Sequence, residues 1–259
     1  MAIKKNKTKV TVLFALLCVL IIIIGGSVFY LWQGSANKAR IVGQTITPTM
    51  PIATPTLTGT AQTLPLFFDD FVGSNKGWSL TSVFGYTRKI ENGDLTLAAE
   101  NHQILTESLP TGATFNDFMV TTTFTLVQAA RDDSVGLYLR GDSYLDHDYR
   151  VDIYGNNTYA ISKEFLDESK IPQDQFLVSP TTTTALHPVG RQNSITVIMQ
   201  GPELTLLINS TVVNSVTDTD YSSGQIALFV QNSATSNGVE ASFSTIAVYP
   251  APQQLSPTP

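Results

Sequence analysis

Hydrophobic and polar positions divide the chain into three regimes. From Val10 to Trp32, twenty-three consecutive residues carry no charge, centred on VLFALLCVLIIII. At about 1.5 Å per residue such a run crosses the ~30 Å hydrocarbon core as a helix, the only form that satisfies its own backbone there. The pattern predicts a transmembrane signal-anchor over 10–32. From residue 66 onward the pattern changes to short runs rich in β-branched and aromatic residues: 95–99, 118–127, 135–140, 149–154, 159–165, 194–199, 204–209, 225–231 and 239–249. Glu91-Asn92-Gly93-Asp94, Gly155-Asn156-Asn157, Gly201-Pro202 and Ser223-Gly224 punctuate them, and Asn92-Gly93 is a strong hairpin signal because both residues tolerate positive φ. No run here keeps a helical period over ten residues, although 164–170 is compatible with a turn of helix. The pattern predicts an all-β, antiparallel two-sheet sandwich or barrel.

Between these regimes lies a stretch of another kind. Residues 41–65 hold eight Thr, four Pro and no charge, a composition that stays extended and buries little. The expected organisation is a basic cytoplasmic tail over 1–9, the anchor over 10–32, a disordered Thr/Pro-rich extracellular linker over 33–65, the β domain over 66–249 and a Pro-rich tail over 250–259.

Charge sharpens this picture. Charged residues make up only 14% of the 259, against a usual share of about 25%. Residues 1–40 carry six of the fifteen basic residues and no acid, so the net −6 combines a basic N-terminus with an acidic remainder. Lys4, Lys5, Lys7 and Lys9 precede the apolar run, which places the N-terminus in the cytoplasm and the domain outside, at the cell membrane. A competing reading, a cleaved signal peptide with Gly34 and Ala36 before the cut, requires a shorter apolar region than this one. An acidic body argues against nucleic acid as a partner. The single cysteine, Cys18, excludes an intramolecular disulfide. It follows Leu17 inside the apolar run, so it reads as a small lipid-facing hydrophobe rather than an acylation site.

A further set of residues is similar to a known family. Phe68-Asp69-Asp70-Phe71 with Gly77-Trp78 opens the series. Asp117-Phe118, Gly136-Leu137-Tyr138-Leu139-Arg140, Tyr149-Arg150-Val151-Asp152-Ile153 and Asn193 follow. Leu207-Ile208-Asn209, Asp218, Gly224-Gln225-Ile226-Ala227-Leu228 and Ala241-Ser242-Phe243 complete it. Their order resembles the concanavalin A-like lectin/glucanase superfamily, including its laminin-G-like and 3-keto-disaccharide-hydrolase-like members. The sequence departs from that pattern at Asn209-Ser210, where Asn-Gly is common, and at Ser244 and Thr245, where acids often follow the closing Phe. The resemblance implies a jelly roll with one concave face, but no single activity, since lectins, glycosidases and inert modules share the fold.

Strand alternation separates two faces. Val135, Leu137, Leu139, Val151, Ile153, Ile226, Leu228 and Val230 are expected inward; Tyr138, Arg140, Arg150, Asp152, Tyr154, Phe229 and Gln231 outward. Aromatic rings stack on sugars while charged groups hydrogen-bond hydroxyls, so Tyr138, Arg140, Arg150, Asp152, Tyr154 and Phe229 are the candidate ligand-binding residues. The partner expected is a glycan or cell-surface polysaccharide. The alternative is that Arg and Asp merely pair across strands.

No catalytic residue is assigned. A glycosidase needs two carboxyls flanking one bond, and the Glu-x-Asp-x-Glu strand of the superfamily's retaining glucanases is absent from the sequence. Glu164, Asp167 and Glu168 read as a solvated charge run. His102, His147 and His187 show no nucleophile motif. Should the domain be a glycoside hydrolase or lyase instead, Asp152 or Glu164 would be its acid or base; a structural or sensory ectodomain binding protein through strand edges is the third alternative. No cofactor is required, but Asp142, Asp146 and Asp148 form an acid-rich stretch that calcium could use, with Asp132 and Asp133 as further acids upstream. Asn156-Asn157-Thr158 and Asn209-Ser210-Thr211 match the glycosylation sequon.

Overall fold

Fourteen strands and no α-helix make up the described residues, 64–252, of the structure, a computed structural model. In chain order they are β1 (Phe67–Asp69), β2 (Tyr86–Glu91), β3 (Asp94–Ala99), β4 (Ile104–Ser108), β5 (Phe118–Gln128), β6 (Ser134–Gly141) and β7 (Asp148–Tyr154). Then follow β8 (Thr158–Leu166), β9 (Pro172–Thr182), β10 (Gln192–Gln200), β11 (Glu203–Ile208), β12 (Thr211–Thr217), β13 (Gln225–Gln231) and β14 (Val239–Pro250). The expected anchor, tails and linker lie outside the described residues, apart from 64–65 and 250–252.

Turn chemistry sets much of the register. Asn92 (φ 56°) and Gly93 (φ 81°) close the β2–β3 hairpin with both central residues at positive φ, and Glu91 pairs with Asp94. Asn209 (φ 47°) and Ser210 (φ 66°) close β11–β12 in the same manner, so this turn keeps its geometry without the usual glycine. The stretch 164–170 is not helical: Glu164–Leu166 end β8, and a tight turn follows with Asp167 accepting the amides of Ser169 and Ile171.

The strands form two antiparallel sheets. One has eight strands, in the order β12-β11-β10-β5-β14-β3-β2, with β1 also paired to β14; the other has six, β4-β13-β6-β7-β8-β9. β14 is long enough to pair first with β3 and then, past a bulge at Phe243/Thr245, with β1. There Thr122, fully buried in β5, donates its hydroxyl to the Thr245 carbonyl at 2.8 Å, satisfying a group the irregular ladder leaves free. The result is a jelly-roll sandwich.

Alternation fills the space between the sheets. β5 inserts Phe118, Val120, Phe124 and Leu126, and β10 inserts Ile195, Val197 and Met199. From the six-stranded sheet come the eight residues expected inward, all within the same core. Each fully buried side chain of this size stabilises the fold by roughly 1.5–3 kcal/mol.

Candidate functional site

Register across the six-stranded sheet places the outward residues in rows. Tyr138 stands opposite Ala227 and Arg150; Arg150 opposite Ser162; Ser162 opposite Phe176. In the next row Phe229, Gly136, Asp152 and Ala160 follow one another, and beyond it Gln231, Ser134 and Tyr154. On the other side Asp148 pairs with Glu164, and Glu164 with Asp174. Directly opposed antiparallel residues share a face, so these side chains share the outer face of the sheet.

Arg150 is the centre of this face. Its guanidinium lies 4.4 Å from the Phe229 ring centre and 5.6 Å from that of Tyr138, and the two rings meet edge to face at 5.0 Å. Its Nη2 donates to Asp152 Oδ1 at 2.5 Å and to Gln231 Oε1, and its Nη1 to Glu164 Oε1 at 2.9 Å. Ser134 donates to the same Asp152 oxygen at 2.7 Å. Gly136 makes this packing possible, because a Cβ there would lie 1.8 Å from the Val151 carbonyl oxygen and 2.9 Å from the Phe229 ring. Tyr138, Arg150, Asp152 and Phe229, all expected together from alternation, are thus in one contact cluster, and all are buried. Tyr154 stands one row away, half-buried.

Arg140 is not on this face. A bulge against Gln225 and a φ of 53° rotate it away from its neighbours' alternation. Its guanidinium, almost fully buried, donates to Asn116 O at 2.7 and 2.9 Å, Gly201 O at 2.8 Å, Tyr221 O at 3.0 Å and Asp117 Oδ1 at 3.2 Å. It fastens three loops together instead of facing outward.

Two residues enter the face that the sequence did not bring there. Glu164 is not part of a solvated run: it pairs with Arg150, and burial pushes its carboxyl above the usual range. Carrying the alternation of Ala160 and Ser162 one step further would have found it. Phe176, on β9, keeps 46% of its surface exposed in the same row as Arg150. β9 shows no burial alternation, which leaves no periodic signal for this ring.

The acid-rich stretch divides. Asp142, Asp146 and His147 converge in the β6–β7 loop, their ligand atoms within 4.8 Å of one another. Asp148 starts β7, and both its carboxylate oxygens are buried without a hydrogen-bond partner among the described residues. Burial and then the Glu164 charge push its pKa up to about 9. Asp133 is remote, at the opposite end of β6, where it accepts bonds from Ala130 N, Ser233 N and Ser236 Oγ. His102 and His187 hold loop carbonyls through Nδ1, those of Ser233 (2.8 Å) and Gln192 (2.7 Å).

The fold recurs among solved structures. The carbohydrate-binding module CBM66 from Bacillus subtilis superposes with a TM-score of 0.51 at 15% identity, covering 67% of this chain and 95% of that one. The carbohydrate recognition domain of Emp47p gives 0.54 at 13%, over 74% and 99%. The β-glucanase of Bacillus licheniformis gives 0.51 at 9%, over 71% and 97%. No curated protein matches the chain. Residues 66–248 match the 3-keto-α-glucoside-1,2-lyase-like domain family. The jelly roll, its register and this match agree, and the chain belongs to that family, within the concanavalin A-like superfamily.

Proposed function

We propose that this protein is a membrane-anchored, extracellular, non-catalytic carbohydrate-binding module whose ligand lies on the outer face of the six-stranded sheet. The observation that carries the reading is the row Tyr138–Arg150–Ser162–Phe176, with Glu164 and Tyr154 on either side. Phe176 offers an exposed ring for stacking, while Ser162, Glu164 and the Tyr154 hydroxyl offer donors and acceptors to sugar hydroxyls. That CBM66 and the Emp47p domain are carbohydrate-binding by name supports the reading at the level of fold. The uncharged run 10–32 and the four lysines before it support the anchor and its orientation.

Glycan-array screening of the detergent-solubilised full chain tests the proposal. Binding is expected to fall about fivefold or more in Phe176→Ala and in Tyr154→Ala, the loss of on the order of 1 kcal/mol each. No signal above background would overturn it. Protease treatment of intact cells should remove the domain and spare an N-terminal tag.

A second reading, an enzyme acting on 3-keto-glucosides, is favoured by one observation. Asp148 and Glu164 are register partners on adjacent strands, which brings two carboxyls to one face with Cβ atoms about 5 Å apart. Turnover of a 3-keto-α-glucoside that Glu164→Gln abolishes would replace the binding reading.

A further inference from the structure

The outer face of the six-stranded sheet is covered at one end by a loop residue. Tyr138, Ala227 and Phe229 form a small apolar cluster of their own, separate from the core between the sheets, and all three are buried. Leu145, from the β6–β7 loop, packs on this cluster. Register places it at the Tyr138 end: Gly141 pairs with Gln225, whose next same-face neighbour on β13 is Ala227, the partner of Tyr138. A Cβ at Gly141 would lie 2.6 Å from Leu145 Cδ2, so the leucine rests in the space that the glycine leaves.

Two costs are held under this cover. Leu145 has a φ of 56°, a left-handed conformation that a bulky side chain rarely adopts. Such residues persist only where their surroundings hold them, and they cluster at ligand clamps and switch regions. Asp148, the first residue of β7, is fully buried, with neither carboxylate oxygen hydrogen-bonded among the described residues, an unfavourable state for a carboxyl. It shares the outer face with Glu164, its register partner, and its Cβ lies 3.5 Å from the same Gly141 position. Lifting Leu145 relieves its backbone and gives Asp148 access to water, at the expense of the apolar contact. The latch is thin: Leu145 N donates to Asp142 O and Asp142 N to His147 O, both at 3.3 Å.

We infer that Leu145 is a removable cover over a cryptic part of the outer face, and that its displacement exposes the Tyr138 ring as a second stacking platform at the opposite end of the row from Phe176. The stacking rests on the carbohydrate-binding reading; the opening of the cover does not. Closed, a sugar meets Phe176 and Glu164; open, aromatic surface is reached at both ends of the row. A protein whose binding-competent state is only partly populated binds more weakly by that fraction, so the loop sets the affinity of the face.

Thiol labelling of the full-length chain in detergent, with Cys18→Ser removing the native thiol, tests the opening. Ala227→Cys puts a thiol beneath Leu145, and Ala241→Cys puts one in the core between the sheets; both alanines are 0% exposed. Ala227→Cys should react about tenfold faster than Ala241→Cys or more, because local opening needs less free energy than global unfolding, and Leu145→Gly should widen that ratio. Equal rates, or a ratio that Leu145→Gly leaves unchanged, would overturn the inference. On the glycan array, the half-saturating concentration of the Leu145→Gly chain should fall about three- to tenfold, as the closed state is removed. Unchanged or weaker binding by folded Leu145→Gly chain would overturn the inference even where Ala227→Cys fails to fold. An array without signal overturns the carbohydrate reading alone, and the labelling ratio still decides the cover.

Discussion

Lys163, on β8 of the six-stranded sheet, and Asp218, just past β12 of the eight-stranded one, meet at 2.9 Å and tie the two sheets together at one margin of the core. Lys163 also reaches Asp220 at 2.5 Å, and Tyr149 donates its hydroxyl to the other Asp218 oxygen at 2.7 Å. The Tyr149 hydroxyl in turn accepts the Tyr221 amide, and the Tyr221 hydroxyl donates to the Glu164 carbonyl. Each of these five contacts joins β7 or β8 to residues 218–221.

The network fixes a pH window for stability. Burial works against the Asp218 charge, yet bonds from Lys163, the Asp220 amide and Tyr149 hold its pKa below the carboxylate range. Its contribution is present above about pH 3.9 and is lost as pH falls through the lower folded value. Bonds to Asp220 and Asp218 raise Lys163, and burial pushes Tyr149 up to about 12. Their contributions are present below about pH 10 and are lost as pH rises through the folded values. Urea midpoints should therefore be flat from roughly pH 4 to 10 as far as this network is concerned. Lys163→Met should cost about 1–2 kcal/mol at pH 7, discounted for residual exposure, and should shrink the acid-side loss. A midpoint and pH profile matching the wild type would show the network to be inert.

Ser210 occupies the second position of the β11–β12 turn at φ 66°, a conformation that costs a side chain and suits glycine. Ser210→Gly should raise stability by roughly 0.5–1 kcal/mol, read as a higher thermal midpoint. Asn209→Ala should do the reverse, because its side chain accepts the Ser194 amide at 2.8 Å and donates to Ala185 O at 2.7 Å and Asn193 Oδ1 at 2.8 Å. A lower midpoint in Ser210→Gly would contradict this account.

Arg140→Lys separates fastening from ligand contact. An ammonium cannot reproduce a planar fork that serves four acceptors, so the variant should lose about 2–3 kcal/mol of stability by chemical denaturation. Glycan binding by the folded fraction should be unchanged, and a loss of binding at full folding would return Arg140 to the ligand face.

Much of this was legible in the sequence. The nine apolar runs became strands because each has one face on the core; β5, β10 and β11 bury every second residue, whereas β6, β7 and β13 are buried on both faces. β1, β2, β4, β9 and β12 were missed for a common reason. They are short or marginal strands with little continuous buried face, and β9 is exposed along nearly its whole length. Of the site, Tyr138, Arg150, Asp152 and Phe229 came from alternation alone. Arg140 did not, because a bulge at positive φ breaks the count at that residue. The acids of the β6–β7 loop were visible, but not that His147 would join Asp142 and Asp146 while Asp148 paired across to Glu164 on the outer face of the sheet.

The opening motif has an energetic explanation as well. Asp69 is buried and accepts the Trp78 indole N–H at 2.7 Å and the Phe71 amide at 2.8 Å, while Trp78 packs against Phe67 and Phe71. Trp78→Phe keeps most of the apolar contact but leaves one Asp69 oxygen without its indole donor. The expected cost is about 1–3 kcal/mol, and a loss below about 0.5 kcal/mol in a urea titration would show that another donor, such as Lys76, takes over.

The pairing of β1 with β14 has a consequence for how this domain is wired into a longer chain. Phe67 lies opposite Val248, and Leu66 donates its amide to the same Val248 carbonyl at 2.7 Å. The first strand and the last are therefore zipped together, and the polypeptide enters and leaves at one point. Such a domain behaves as a closed loop: a short peptide joining residue 252 to residue 64, with new ends cut at the Gly155–Asn157 turn, would leave both sheets intact.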